Sequence, residues 1–431
     1  MQKFLKDCEN IPRELDPNDL KDSDFILDFE DQSKNPINNI IAVDGGYTEV
    51  EIQKTFPSSR MAYFQFGALW FDLEHLEHLE QKPFLFPEDM AKFKDLERIK
   101  LVIPTRNISY KLNNLTDSVR KALLEFFEKD RSGERFMDSL IWFIFREYDH
   151  TLMREDYELA SCPSPACSAT DIVLRRSDFL KHHVSYCSMC GKEIYLTDIF
   201  RLHEAIDEEH GAGGILGYLT TTLEHMIIVH LIKYLLKKKP DLLRSILFIK
   251  DGPLGFFGQT ANMHSPMRDL CNFLESHHHL YLVGLEKSGA FAEHADFICS
   301  PMYSKEKEPL LRKGKVLMLS NEYIYKNVIP GIPDFKNPYA SSSYYSSKLI
   351  FHTPEGHVYV MTLPVKDKYI VNNPQKKDFK NLDIIMHNLR KLRCDMYENS
   401  LVPIALVNQV VSLANRPSSV LLEKFSRDGV R

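Results

Sequence analysis

The sequence predicts an α/β fold in which a mixed sheet is flanked by helices and interrupted by a small cysteine-rich insertion. Three observations lead there. Two short apolar runs end in an aspartate followed by glycine, Asn39 to Val43 before Asp44-Gly45-Gly46 and Ser245 to Lys250 before Asp251-Gly252. A helix-length stretch from about Tyr218 to Lys239 lies between them and is closed by Pro240. Four of the eight cysteines crowd between positions 162 and 190, in a segment unlike its neighbours.

The first run, Asn39 to Val43, is short and apolar, as a buried strand requires, and Asp44-Gly45-Gly46 predicts a tight turn after it. Tyr47 to Gln53 and Arg60 to Asp72 are the next strands, divided by the turn signal Pro57-Ser58-Ser59. Three strands in succession suggest a meander. From Glu88 to Tyr148 the pattern is mainly helical, clearest at Val119 to Lys129 and Phe136 to Phe145. The segment from Glu155 to Gly214 is rich in cysteine, serine and charge, and reads as an insertion. Residues 1–154 and 215–431 are then the two halves of one domain around a module at 155–214. Beyond it, Ser245 to Lys250, His279 to Leu285 and Lys315 to Leu319 are strands, and Lys348 to His352 with His357 to Leu363 form a hairpin around Pro354-Glu355-Gly356. Two helices close the chain, roughly Leu382 to Tyr397 and Val402 to Ala414.

The 431 residues, 44% of them hydrophobic, are enough to bury a sizeable core. Met1 to Asn10 mixes charges where an export signal needs an apolar run, which predicts a cytoplasmic protein with reduced cysteines. The most apolar stretch, Met226 to Leu236, contains His230 and Lys233 and falls short of the ~20 residues that span a bilayer. No membrane association is expected. The net charge of −6 offers nucleic acid no global attraction, so any such binding needs a local basic track. Lys237 to Lys239, Arg312 with Lys313 and Lys315, and Arg390 with Lys391 and Arg393 are the candidates, although a solvated helix face is the commoner explanation of any one of them.

The acids carry the chemistry. Two-metal nucleases hold divalent ions about 4 Å apart, which needs several converging carboxylates. Magnesium and manganese are hard ions that take oxygen ligands, so acids at rigid strand ends and on an adjacent helix suit them. The order here is a strand with Asp44, two more strands, a helix with Glu224, a strand with Asp251 and a late helix. That is the order of an RNase H-like sheet, whose first and fourth strands lie side by side. A lone aspartate before glycine is usually a turn residue; the pair in this order is the more specific pattern. For the helical acid, Glu204, Asp207, Glu208 and Glu209 are available upstream of Glu224.

Ile41-Ala42-Val43-Asp44-Gly45-Gly46, Phe248-Ile249-Lys250-Asp251-Gly252-Pro253-Leu254 and Val283-Gly284-Leu285-Glu286-Lys287 resemble successive blocks of the NurA nucleases. The resemblance runs from Asp44 to about Asn408 and leaves the cysteine-rich segment outside. It implies a dimeric, manganese-preferring nuclease, with Mg²⁺ as the other hard ion, that degrades single-stranded DNA 5′ to 3′ and cuts it internally. It also implies a hexameric HerA-type ATPase as partner. By position, Asp44, Glu224 and Asp251 become metal ligands, and Lys287 faces the scissile phosphate. Near the C-terminus the family pattern has a tyrosine and, eight residues on, a histidine; this chain has Ser400 and Asn408 there. Asn408 offers a carbonyl oxygen but no acid or base.

Cys162 and Cys167 are separated by four residues, Cys187 and Cys190 by two, and the pairs by nineteen. Such spacing lets two knuckles supply four thiolates to a tetrahedral Zn²⁺, and Gly191 after the second pair fits a knuckle. An all-cysteine shell leaves no position for water, so this zinc is structural. His182, His183 and His203 are alternative ligands. Arg175, Arg176, Lys181 and Lys192 around the pairs offer contacts to phosphate. The run His277-His278-His279 reads as a helix end leading into a strand, since three consecutive side chains cannot converge on one ion.

Two functions fit. One is an active nuclease working with its ATPase in DNA end processing, repair or defence against foreign DNA. The other is a weakly active or inactive dimeric adaptor that uses the zinc module to recruit a partner.

Overall fold

The computed structural model describes residues 20, 25–32, 34–74, 76, 99–111, 114–131, 133–303, 307–394 and 400–412. Met1 to Asn10, Tyr397 and Ala414 lie outside them. In chain order the strands and helices are β1 (Ile26–Asp28), β2 (Asn39–Gln53), β3 (Ser59–Asp72), β4 (Ile99–Arg106), α1 (Leu115–Glu128) and α2 (Phe136–Ile144). The cysteine-rich segment adds β5 (Asp156–Ser161), β6 (Thr170–Arg175), α3 (Arg176–His182), β7 (Val184–Tyr186) and β8 (Glu193–Tyr195). There follow α4 (Leu216–Lys238), β9 (Ile246–Asp251), α5 (His264–His277), β10 (Tyr281–Glu286), α6 (Ala290–Cys299) and β11 (Lys315–Met318). The chain closes with β12 (Ser346–His352), β13 (Val358–Pro364), α7 (Leu382–Lys391) and α8 (Val402–Val411).

Among the described residues, nine strands form one mixed sheet in the order β1-β11-β12-β13-β10-β9-β2-β3-β4. One end of it is an antiparallel meander, β2-β3-β4, continued by β9 parallel to β2 and β10 parallel to β9. This is the strand order of an RNase H-like sheet. A parallel pair needs a crossover and cover on both faces, and the sequence supplies both. Helix α4 lies between β2 and β9 in the chain, and β9 reads Ile-Leu-Phe-Ile-Lys-Asp with its first five residues buried. Alternate residues feed two cores. Ile41, Val43, Ile246 and Phe248 pack with α1, α2, α4 and α5, whereas Ile40, Ala42, Leu247 and Ile249 pack with α7 and α8.

The meander is built differently from the sequence expectation. Asp44-Gly45-Gly46 is no turn; β2 runs through it for 15 residues and pairs with β3 from Asn39↔Asp72 to Gln53↔Ser59. The glycines serve close approach instead. A Cβ on Gly45 would lie 2.5 Å from Phe66 Cδ1, and one on Gly67 would lie 2.9 Å from Val411 Cγ1, so each bare position admits a neighbour. The third meander strand is β4, inside a stretch whose composition reads as helical. Its Arg60↔Arg106 and Phe66↔Ile99 pairings with β3 override the local pattern.

Helix α4, with the short turn before it, spans Gly213–Lys238 and is long and apolar enough by composition to cross a membrane, yet most of its apolar window is buried inside the fold. The helix continues on the N-terminal side of Met226, where His225 and Glu224 are themselves buried. The remaining expectations of hairpin β12-β13, strand β11, and a helix ending at His277 before β10 match the observed elements. His277 stacks on Phe273 with ring centroids 4.6 Å apart, capping the helix end.

Candidate active site and cysteine cluster

Register places the two aspartates. Val43 pairs with Lys250 across the parallel β2-β9 ladder, so Asp44 and Asp251 occupy the next step on neighbouring strands and point to the same face. Asp251 ends β9 because Gly252 takes φ +83°, where a side chain is strained, and its amide bonds the Leu285 carbonyl at 2.7 Å. Here the aspartate stands at a strand tip, as the apolar run before it predicts. Lys287, just past β10, reaches Asp251 Oδ2 at 2.8 Å.

Glu224 comes from the opposite face. It is buried on α4, and its Oε2 accepts from Lys250 Nζ at 2.6 Å. Its Oε1 lies 3.2 Å from the point a Gly45 Cβ would fill, so the bare strand at Gly45 lets the helical acid approach the aspartates. The Gly45 amide donates to Asp44 Oδ1 at 2.8 Å. Burial, and then the charges of Asp251 and Glu224, push the Asp44 carboxyl up to about 7. Burial also raises Glu224, against which the Lys250 ammonium acts. The four upstream acids face elsewhere. Glu208 caps α1 through Leu115 and Thr116, Glu204 pairs with Arg201, and Asp207 and Glu209 belong to a local turn.

Lys250 was not singled out in the sequence. It sits in a strand covered on both faces, is 2% exposed, and also donates to the Asp251 carbonyl at 2.7 Å. A lysine in such a strand must have a charged partner, which was the available signal. A second buried pair lies beside the site, where Lys348 bonds Glu286 and Tyr344, its ammonium 4.4 Å from the Phe291 and Tyr344 ring centroids.

Helix α8 packs onto β2 and β3 over Gly67, the register partner of Asp44, and Gln65 Nε2 bonds the Val410 carbonyl at 2.6 Å. Ser400 is buried ahead of it. Asn408 is exposed on α8, and among the described residues no hydrogen bond or ion pair joins its side chain to Asp44, Glu224 or Asp251. Four of the nine basic candidates are paired with acids: Lys237 with Glu134, Arg312 with Glu308, Lys315 with Asp28, and Arg390 with Asp31 and Glu355.

The donor set suits a hard ion. All three carboxylates are oxygen donors, and the charges of Asp251 and Glu224 add to burial in raising Asp44.

The cysteine cluster is assembled from two hairpins. Cys162 and Cys167 lie between β5 and β6, where the Cys162 amide bonds Ala169 O at 2.9 Å; Cys187 and Cys190 lie between β7 and β8. Gly191 takes φ +69° and returns its amide to Cys187 O at 2.8 Å, closing the knuckle. All four sulfurs fall within 4.8 Å of one another, with Cys162–Cys190 and Cys167–Cys187 at 3.8 Å. Sulfurs around a tetrahedral zinc at ~2.3 Å are roughly 3.8 Å apart, so the cluster has the right size. Backbone amides of Cys190 and Met189 hold the Cys187 thiol down at about 7, while burial pushes the Cys162 thiol up. Histidine is not required: His183 bonds Glu128 at 3.1 Å, and His203 is buried outside the group. Arg120 fastens the module to α1, bonding both oxygens of Asp198 at 2.8 Å and the Glu193 carbonyl at 2.8 Å. Arg176 of the module pairs with Glu147.

No protein-family model matches the chain, and no curated protein matches it. Among solved structures, the crystal structure of the NurA nuclease from Sulfolobus solfataricus is similar over 93% of this chain and 88% of that one, at 8% identity and a TM-score of 0.32.

Proposed function

We propose that the chain is a metal-dependent DNA nuclease of the NurA type, cutting single strands 5′ to 3′ and internally. The observation that supports the reading is the register that sets Asp44 and Asp251 side by side on β2 and β9, with Lys287 on Asp251 and Glu224 against Gly45, in the strand order of an RNase H-like sheet. Asp44, Asp251 and Glu224 are the residues that would hold Mn²⁺ or Mg²⁺. Such an ion polarises a phosphodiester and makes a bound water nucleophilic near neutral pH.

The chain's own residues set the conditions for that chemistry. Asp251 and Asp44 sit on rigid, paired strands, so their carboxylates need little reorganisation. Lys287 is the cation nearest the face that substrate would approach, and can leave Asp251 for a phosphate oxygen as charge develops there. Water adds to phosphorus, the P–O bond to one sugar breaks, and the products are a phosphate monoester and an alcohol. Asn408, exposed on α8, can lend an amide oxygen but move no proton, so the isolated enzyme is slow and favours manganese. The cysteine cluster holds a structural Zn²⁺ remote from this chemistry.

The motif resemblance extends the proposal to a cytoplasmic homodimer working with a HerA-type hexameric ATPase in DNA end processing, repair or defence. The test is cleavage of single-stranded DNA by purified protein with Mn²⁺. Loss of cleavage in Asp44→Ala supports the nuclease, and its persistence there overturns the site. Absence of cleavage in the wild type, alone and with the co-purified ATPase, favours the adaptor instead.

A further inference from the structure

We infer, resting on the nuclease reading, that Lys348 is a positioning residue for Lys287. One buried ammonium grips the chain on either side of Lys287 and so fixes where it leaves the sheet.

Strand register carries the ammonium there. Glu286 pairs with Val360, and Thr362, two residues on along β13, pairs with Lys348 of β12. Glu286, Val360, Thr362 and Lys348 therefore share one face, and Lys348 reaches diagonally over β13 to the Glu286 carboxylate. It is the face that α6 covers, since Val360 and Ile350 pack in one core with Phe291. Leu285 and its register partner Asp251 belong to the other face, where Lys287 makes its bond. Glu286 and Lys287 thus leave the tip of β10 on opposite sides.

Lys348 holds both flanks of Lys287. Its side chain is 3% exposed, and its Nζ bonds Glu286 Oε1 and donates to Tyr344 OH at 3.0 Å. The same ammonium lies 4.4 Å from the centroids of the Phe291 and Tyr344 rings. Glu286 immediately precedes Lys287, and Phe291 is the second residue of α6, just beyond it. Between them Ser288 to Ala290 are exposed, and Gly289 takes φ +91° with nothing within 4 Å of the point a Cβ would fill. An exposed stretch of this kind takes its course from its flanks. Both flanks are tied to one cation, by a buried ion pair on one side and by attraction to an aromatic face on the other. With its root fixed from beneath the sheet, Lys287 keeps only its tip free to pass from Asp251 to a phosphate oxygen.

The experiment is ¹³C NMR of the full chain after reductive dimethylation of its lysines, together with steady-state cleavage of single-stranded DNA with Mn²⁺. The Lys287 signal is identified by its absence from Lys287→Met. The test variant is Lys348→Met with Glu286→Gln, which removes both charges and leaves neither buried alone. Its Lys287 signal is expected to move to the position of the mobile surface lysines. Its kcat is expected to fall roughly 10–10²-fold while KM stays within about twofold, since a misplaced group costs the reaction more than it costs binding. Added to Lys287→Met, the same pair of substitutions is expected to cause no further loss, because it acts through a group already gone. Phe291→Leu loses the ring above the ammonium and keeps the test readable should the paired variant unfold; it is expected to move the Lys287 signal the same way. A Lys287 signal unmoved in a folded variant, or losses that multiply with Lys287→Met, overturn the inference and leave the nuclease reading standing. No cleavage by wild type overturns the nuclease reading, and the Lys287 signal then decides the positioning by itself.

Discussion

Lys287 reaches back from the end of β10 to place its ammonium 2.8 Å from Asp251 Oδ2, on the next strand of the sheet. Both groups are about one quarter exposed, so the pair opens at little cost when a phosphate arrives. Lys287→Met is expected to leave Mn²⁺ binding unchanged or tighter, since a competing cation is gone. Cleavage should fall by roughly 10²–10³, the usual loss when one transition-state donor is removed. Cleavage at wild-type rate with unaltered binding would make Lys287 an ordinary surface charge.

Asp44 and Asp251 sit one step beyond the Val43↔Lys250 pair, and in the proposed nuclease they are expected to act as one unit. Asp44→Ala and Asp251→Ala should each abolish detectable cleavage, and the double variant should be little worse than either, because residues serving one ion are not additive. Losses that multiply would show two independent sites.

Stability without Mn²⁺ or Mg²⁺ should depend on Asp44. Its folded value is raised to about 7, so the folded state holds the proton more tightly than the unfolded chain does. That contribution is complete below the unfolded value of ~3.9 and is lost as pH rises through about 7. Urea melts between these limits should show wild type losing stability with rising pH relative to Asp44→Asn. A parallel pH dependence in the two proteins would refute the shift.

Protein purified without added metal should carry one zinc per chain by elemental analysis. Cys187→Ser should lose it and lower the melting temperature by on the order of 10 °C, since a structural zinc contributes directly to folding. The buried Arg120–Asp198 pair passes the damage to α1. Metal-free, well-folded wild type would remove the claim.

Asn408 is exposed on α8, so its substitution should change stability by less than ~0.5 kcal/mol. Asn408→His is expected to preserve or raise cleavage and Asn408→Ala to lower it, with zinc content intact. If neither alters rate or manganese dependence, Asn408 is a polar surface residue of the helix.

The sequence by itself determined the parts that depend on local spacing and on the order of elements. Cysteine intervals of four, nineteen and two residues predicted a four-thiolate cluster, and the order Asp44, Glu224, Asp251 predicted an RNase H-like sheet. Pairing, burial and reach were decided by tertiary structure. Asp44-Gly45-Gly46 has the composition of a turn, and the ladder to Gly67, Phe66 and Gln65 of β3 keeps it extended within β2. Strand β4 gains its identity from β3, because a strand's preference is set by its neighbours more than by its own residues. Glu224 stood level with four upstream acids until the fold turned those toward α1 and local turns and brought Glu224 against Lys250. Lys250 reads in sequence as one charge at the end of an apolar run. Its meaning comes from the cover on both faces of β9, which buries the ammonium against the oxygens of Glu224 and Asp251.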